Sequence, residues 1–409
     1  MSVRVYGDKM KLRSISVSIA SAFSIALLST PGFAQDTIKI GMTSALTGPY
    51  NEYGEGGKRG VDIAIEKWNA RGGINGKKIE LAMALDDQLV PDRAVQNMRK
   101  LLDNKDLAGI IGPAGSGPTL AVIEMAAADG RPYMNPVAQS PAVTYPAGGT
   151  PRPNVFSFAL QNDVEAKVLA NYVAKRFKKV GLIHESTAYG TGGIDLISKE
   201  LKALGGAQSV GVESYNQRAQ DMTAQLAKLQ RAGADVILCV GLGADLAVLR
   251  RTMARLNMSV PLVASNGALS IPYQEGAGEL VTGTRGTMVG VFGEQPLNAA
   301  AKEFADAYKA KHGPDRWWGT DPASPQIFMS LSVTNAYDAA NVLFEGIKRA
   351  NSTDAAKVNK AIEGITGLRG VNAVYSFSPV KHHAITEKDV SVFEYVKAGD
   401  KSVLRIAKD

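Results

Sequence analysis

The chain has 409 residues, too many for one small module, and its 45% hydrophobic, 21% charged and 7% aromatic content excludes a disordered polymer. The formal net charge is +7, but Arg4, Lys9, Lys11 and Arg13 against Asp8 concentrate part of it before residue 35, and the remaining +4 is too diffuse for a nucleic-acid footprint. A single cysteine, Cys239, excludes both an intramolecular disulfide and a cysteine-built zinc site.

Residues 1–34 read as a secretory signal peptide. Arg4 to Arg13 forms a basic region, Ile15 to Leu28 an apolar run, and Pro31 to Ala34 a stretch of small residues ahead of Gln35. The apolar run is shorter than the roughly 20 residues that span a bilayer. Translation starts at Met1 or at Met10, since Met10-Lys11-Leu12-Arg13 itself opens a signal well. A periplasmic location follows, with cleavage near Ala34.

Downstream, strand and helix alternate. Thr37 to Met42 predicts a strand, and Tyr53 to Ala70 a helix carrying Val61, Ile65 and Trp68 at helical spacing. The unit repeats as strand Lys78 to Leu85, helix Arg93 to Leu102, strand Leu107 to Ile111, helix Thr119 to Ala128 and strand Pro132 to Pro136. A second series runs from a helix at Val164 through strands Val180 to His184, Ser209 to Tyr215, Val236 to Val240 and Leu262 to Ala264, with helices between them. After a strand near Val289 come helices Ala299 to Lys311, Phe328 to Ala350 and Ala355 to Ile362, then short strands near Val374, Val390 and Val403. Such alternation builds parallel sheets covered by helices. Ile110-Ile111-Gly112 before Leu120-Ala121-Val122 is echoed by Leu238-Cys239-Val240-Gly241 before Leu246-Ala247-Val248, so two similar lobes are expected. Ligands of open parallel sheets sit beyond the carboxyl ends of the strands. Two facing lobes would enclose one.

The loops at those ends carry the candidate chemistry. Gly112 to Thr119 approaches a phosphate-binding loop, but Pro118 stands where the phosphate-reaching lysine belongs, which argues against an ATPase. Proline near a helix start costs little, so the loop suits a carboxylate held by backbone N–H groups and Ser116, unless Ser116 merely caps the helix. Asn135 to Pro141 is an extended loop with backbone groups open to a ligand, or an ordinary rigid turn. Tyr50 or Tyr53 walls a pocket or covers a core, and Tyr189-Gly190 closes from the second lobe or packs locally.

Catalytic signatures are missing. His184, His312, His382 and His383 show no metal spacing, no serine sits in a G-x-S-x-G elbow, and His382-His383 is expected in a solvated turn. Helix capping near Pro91 accounts for Asp86, Asp87 and Asp92 better than calcium does. Gly313 to Pro325, with Trp317, Trp318 and Asp321, is a binding lid or a loop tip. No enzyme, metal or cofactor is expected.

Ile40-Gly41-Met42-Thr43, Leu46-Thr47-Gly48-Pro49, Tyr53-Gly54, Gly60 to Ala64, Asn69 to Ile79 and Asp86-Asp87, continued by Gly112 to Gly117 and Pro136 to Thr144, closely resemble the periplasmic branched-chain amino-acid (leucine/isoleucine/valine) binding proteins. The resemblance spans essentially all of the chain after residue 34. It implies an α/β type I periplasmic binding protein: two similar lobes, each a parallel-rich sheet flanked by helices, joined by hinge strands. Lobe 1 is expected at 35–158 plus 290–368 and lobe 2 at 159–289 plus 369–409.

It also implies a monomeric, solute-binding receptor of an ABC importer, with a small-molecule solute and an inner-membrane permease as partners and no nucleic acid. The alternative is a sensory receptor domain reporting a small carboxylate to a signalling partner. Matching positions assign the ligand carboxylate and ammonium to Ser116, the backbone of Val137 and Ala138, and Gln139. Tyr53 lines the side-chain pocket, and Tyr189, Leu242 and Asn266 contribute from lobe 2. Two positions depart from the family: Asn266 replaces an acid that pairs with the α-ammonium, and Gln139 replaces a small hydroxyl residue. The solute is therefore a hydrophobic amino acid whose counter-charge comes from Glu185 or Asp321, or an aromatic or aliphatic carboxylate without an ammonium.

Overall fold

The computed structural model describes residues 37–289, 297–313 and 331–408. Five apolar stretches in the first part of the chain pair as one sheet: β1 (Ile38–Ser44), β2 (Ile79–Asp86), β3 (Leu107–Ile111), β4 (Tyr133–Asn135) and β5 (Val155–Ser157). Their order is β2-β1-β3-β4-β5, with every pair parallel. Strand β3 is buried at all five positions, the continuous apolar run expected of a strand covered on both faces. Helices α1 (Asn51–Ala70), α2 (Pro91–Asp103) and α3 (Ser116–Asp129) make the crossovers.

The second series folds the same way. Helix α4 (Asn162–Ala174) leads into β6 (Lys179–Glu185), α5 (Ala188–Leu204), β7 (Gln208–Tyr215), α6 (Thr223–Arg231), β8 (Val236–Val240), α7 (Gly243–Arg255), β9 (Leu262–Ala264), α8 (Ile271–Ala277) and β10 (Arg285–Val289). Strands β7-β6-β8-β9-β10 run parallel, and β13 (Val390–Ala398) and β14 (Lys401–Ile406) extend the sheet antiparallel beyond β10. Two similar parallel-rich α/β lobes result, as expected.

The chain returns to the first sheet through α9 (Ala299–His312), α10 (Leu331–Ala350) and α11 (Ala355–Glu363). Helix α10 packs along α1 at a seam of small residues. A Cβ on Gly60 would lie 2.1 Å from the Val333 carbonyl oxygen, so only glycine permits this approach. Trp68 Nε1 donates to Asn341 Oδ1 at 2.9 Å across the seam, and its ring meets Phe344 edge-on. The hairpin β11 (Leu368–Arg369) and β12 (Val374–Tyr375) attaches to α10 through buried Asp338, which accepts from Val371 N, Asn372 N and Tyr375 Oη.

Two expectations are corrected. His382 and His383 do not lie in a solvated turn: their segment runs beside β5, with Ser157 N donating to His382 O at 2.8 Å. His382 is fully buried, stacked on Phe156 at 4.4 Å with Nδ1 against the Val155 carbonyl, and His383 Nε2 lies 3.0 Å from Ala159 O. Burial lowers the His383 pKa, which keeps its ring neutral. The aspartates before Pro91 do not cap α2 either. Asp86 accepts from Leu46 N, Thr47 N, Thr47 Oγ1 and Gln88 N, and Asp87 accepts from Thr43 Oγ1 and Leu89 N. These bonds tie the loop after β1 to the loop after β2 and hold Gln88 and Leu89 at φ 51 and 61.

Candidate functional site

Several of the parallel strands that reach the inter-lobe cleft end in a loop feeding a helix N-terminus. From the first lobe arrive the starts of α1 and α3, and from the second those of α5 and α7. Each carries unpaired N–H groups and a partial positive charge. They surround one cavity of about 110 Å³, the scale of the roughly 150 Å³ cavity that accommodates benzene, so it suits one small solute. Most of its wall is apolar. Among the described residues that line it, none carries an acidic or basic side chain.

Seven of the eight residues named from the sequence line this space. Tyr53, Ser116, Val137 and Gln139 come from the first lobe, and Tyr189, Leu242 and Asn266 from the second. Ala138 does not: its N–H donates to Asn135 Oδ1 at 3.0 Å and its carbonyl accepts from Asn135 Nδ2 at 2.8 Å, which spends both backbone groups inside the loop.

Ser116 is buried at the start of α3 and makes no helix cap. Its Oγ instead accepts from Gln139 N and Ser140 N, both at 3.1 Å, which leaves the hydroxyl proton for a third partner. In the loop from Asn135 to Pro141, the N–H groups of Ala138, Gln139 and Ser140 are thus engaged within the first lobe. Tyr53 faces the cavity, whereas Tyr50 spans the cleft and donates to both Asp245 oxygens at 3.1 and 3.2 Å. Burial raises the phenol pKa of Tyr53 and of Tyr189, for Tyr189 with the Glu165 carboxylate adding to it, so both rings stay protonated. Among the described residues the buried Tyr189 hydroxyl, beside Ser265, makes no hydrogen bond of good geometry.

The group that organises the inner wall is one the sequence reading missed. Glu165, in the first turn of α4, is buried between the lobes. Its Oε1 accepts from Asn266 N at 2.9 Å and Thr287 Oγ1 at 2.5 Å, while its Oε2 lies 3.0 Å from the end of the Gln139 amide that the surrounding acceptors assign as nitrogen. Burial pushes its carboxyl pKa up to about 7. Glu185, by contrast, supplies no counter-charge to the cavity: it accepts from Thr187 N, Thr187 Oγ1 and Gly190 N at 2.6–2.7 Å and so caps α5. Asp321, Trp317 and Trp318 lie outside the described residues. Leu89, Thr187 and Gln217 also line the cavity unannounced. The signal for Leu89 was present in Asp86-Asp87 two residues upstream, since such pairs form side-chain turns that stabilise left-handed backbone.

The family model described as periplasmic binding protein matches residues 37–400. The chain is 31% identical over 345 residues to the Leu/Ile/Val-binding protein homolog 3 of Brucella melitensis biotype 1, covering 83% of this chain and 87% of that protein. It is 26% identical over 348 residues to the leucine-, isoleucine-, valine-, threonine-, and alanine-binding protein of Pseudomonas aeruginosa, covering 85% and 87%. Its fold is similar to the crystal structure of a periplasmic binding protein type 1 from Bordetella pertussis Tohama I, with a TM-score of 0.88 and 66% identity over 91% of this chain and 100% of that one. By its fold, its cleft and these likenesses, the chain belongs to the periplasmic binding protein family, whose members are solute-binding receptors and not enzymes.

Proposed function

We propose that this receptor captures one small hydrophobic carboxylate, an amino acid or an aromatic or aliphatic acid, between its lobes and delivers it as a monomer to an inner-membrane ABC permease. One observation carries the reading: Ser116 at the start of α3 and Tyr189 at the start of α5, from separate sheets, wall the same cavity. The carboxylate would lie against Ser116 and the α3 N-terminus, and the side chain between Tyr53, Leu89, Val137 and Leu242. Contacts from both lobes favour the closed form by differential affinity, and the closed form is what a permease would recognise.

The lobe division that fits this mechanism follows the sheets. The described residues of 37–158 and 297–384 form one lobe, and 159–289 joins the last strands, from 390 on, in the other. Because the hairpin β11–β12 hangs on Asp338 of α10, the third crossing is proposed between 384 and 390 rather than at 369. Export with removal of residues 1–34 completes the proposal. Isothermal titration of protein freed of co-purifying solute by unfolding and refolding, paired with small-angle scattering, tests it. Saturable 1:1 binding of a hydrophobic carboxylate with contraction of the particle is expected. Binding with no contraction, or no binding of any such acid, refutes it.

A further inference from the structure

The polar groups of the cleft are unevenly supplied. Donors for an anion are present: among the described residues the Ser116 hydroxyl accepts two bonds and donates none, and the buried Tyr189 hydroxyl, beside Ser265, makes no hydrogen bond of good geometry. The acidic acceptors beside the cleft, the Glu165 oxygens, are already engaged among the described residues. Gln139 finds partners for both ends of its amide in one orientation, in which its nitrogen faces Leu160 O at 2.9 Å, Asn162 Oδ1 at 3.2 Å and Glu165 Oε2 at 3.0 Å and its oxygen accepts from Asn266 Nδ2; the network assigns that orientation. The other Glu165 oxygen is taken by Asn266 N and Thr287 Oγ1. Three oxygen acceptors around one nitrogen is the environment that an ammonium, with its three donors, would require.

We infer that the Gln139 side-chain nitrogen stands where a solute's α-ammonium would be held, so the cleft selects a hydrophobic monocarboxylate that carries no ammonium. The inference rests on the proposed carboxylate-binding role of the cleft. An amino acid entering it would bury its ammonium against a wall without an acidic side chain, while Gln139 screens Glu165. An ion buried without its partner loses at least about 100-fold in affinity. Gln139 is then a specificity-determining residue: its amide replaces a ligand group with a protein group.

Two pairs of probes that differ only in the ammonium test this: L-leucine against 4-methylpentanoate, and L-phenylalanine against 3-phenylpropanoate, each titrated calorimetrically into the refolded full chain. The expected result is that each acid binds at least 100-fold tighter than its amino acid. Either amino acid binding as tightly as its acid overturns the inference and leaves the carboxylate cleft standing. Binding by none of the four sinks both. In Gln139→Ser, which bares the Glu165 carboxylate, leucine affinity rises at least tenfold while that for 4-methylpentanoate does not, and an unchanged leucine affinity in a variant with a native melting curve counts against the role given to Gln139. Should that variant not fold, Asn266→Asp supplies the same comparison.

Discussion

Glu165 offers the most exacting test of the inner wall. Its carboxyl titrates near 7 in the fold against a usual value of 4.5, because burial disfavours the charged form more than Asn266 N and Thr287 Oγ1 favour it. A native state that holds the proton more tightly than the unfolded chain loses stability as pH rises between those two values. At 1.36 kcal/mol per pKa unit the loss is about 3 kcal/mol, absent below pH 4.5 and complete above pH 7. Glu165→Gln keeps an oxygen for Asn266 and Thr287 but sets an amide nitrogen against that of Gln139, a cost of about 1 kcal/mol at every pH. Urea unfolding of wild type and variant at half-unit steps from pH 4 to 8 gives a difference curve in which the other raised carboxyls, Asp87, Asp245 and Asp338, cancel. Wild type is expected to be the more stable near pH 4 and the variant by about 2 kcal/mol at pH 8. A difference that moves by less than about 1 kcal/mol across that range, or in the opposite direction, refutes the burial argument.

Ser116→Ala leaves Gln139 N and Ser140 N without their shared acceptor, so the unfolding free energy drops by about 1–3 kcal/mol and 4-methylpentanoate binds at least about tenfold more weakly; calorimetry and urea melts read the two effects separately. Tyr50→Phe removes the bond to Asp245 across the cleft and with it about 1.5–3 kcal/mol of the closed form. Solute affinity should fall about tenfold or more, and scattering should report a larger particle at a given solute concentration. Gly54→Ala places a Cβ 2.0 Å from the Ala45 carbonyl oxygen, a backbone atom that cannot yield without moving α1. Destabilisation of about 3 kcal/mol is expected, and a melting temperature within a degree of wild type would contradict the close approach.

Much of the architecture was legible because it rests on local signals. Ile110-Ile111 and Val236 to Val240 announce buried parallel strands by continuous apolar composition, and the rule that ligands sit beyond strand ends pointed to Ser116 and Tyr189, while Leu242 came from the family resemblance; all three line one cavity. What was lost depends on distant pairing. Strand β5 has only three residues, Val155–Ser157, hidden in a proline-rich stretch, and it exists because β4 and the His382 backbone flank it. His382 and His383 were read as solvated for the same reason: alternation along a strand says nothing about layers packed on both sides of it.

Glu165 shows why the charge balance of the site was the hardest part to foresee. In sequence it is an acid in the first turn of a helix, where a solvated partner for the helix dipole is the ordinary reading. Its carboxylate is instead committed to Asn266 and Thr287, 101 and 122 residues away, and to Gln139 on the other lobe. Asn266 and Gln139 looked like two unrelated departures from the family pattern, the first taking away the acid that pairs with an ammonium and the second replacing a small hydroxyl residue. Folded, they are one connected unit around a single buried carboxylate, and that connection explains both at once. With the small hydroxyl residue back at 139, Glu165 Oε2 would lose the Gln139 nitrogen, and with the acid back at 266, the Gln139 oxygen would lose its donor, so either reversal alone leaves one hydrogen bond unmet.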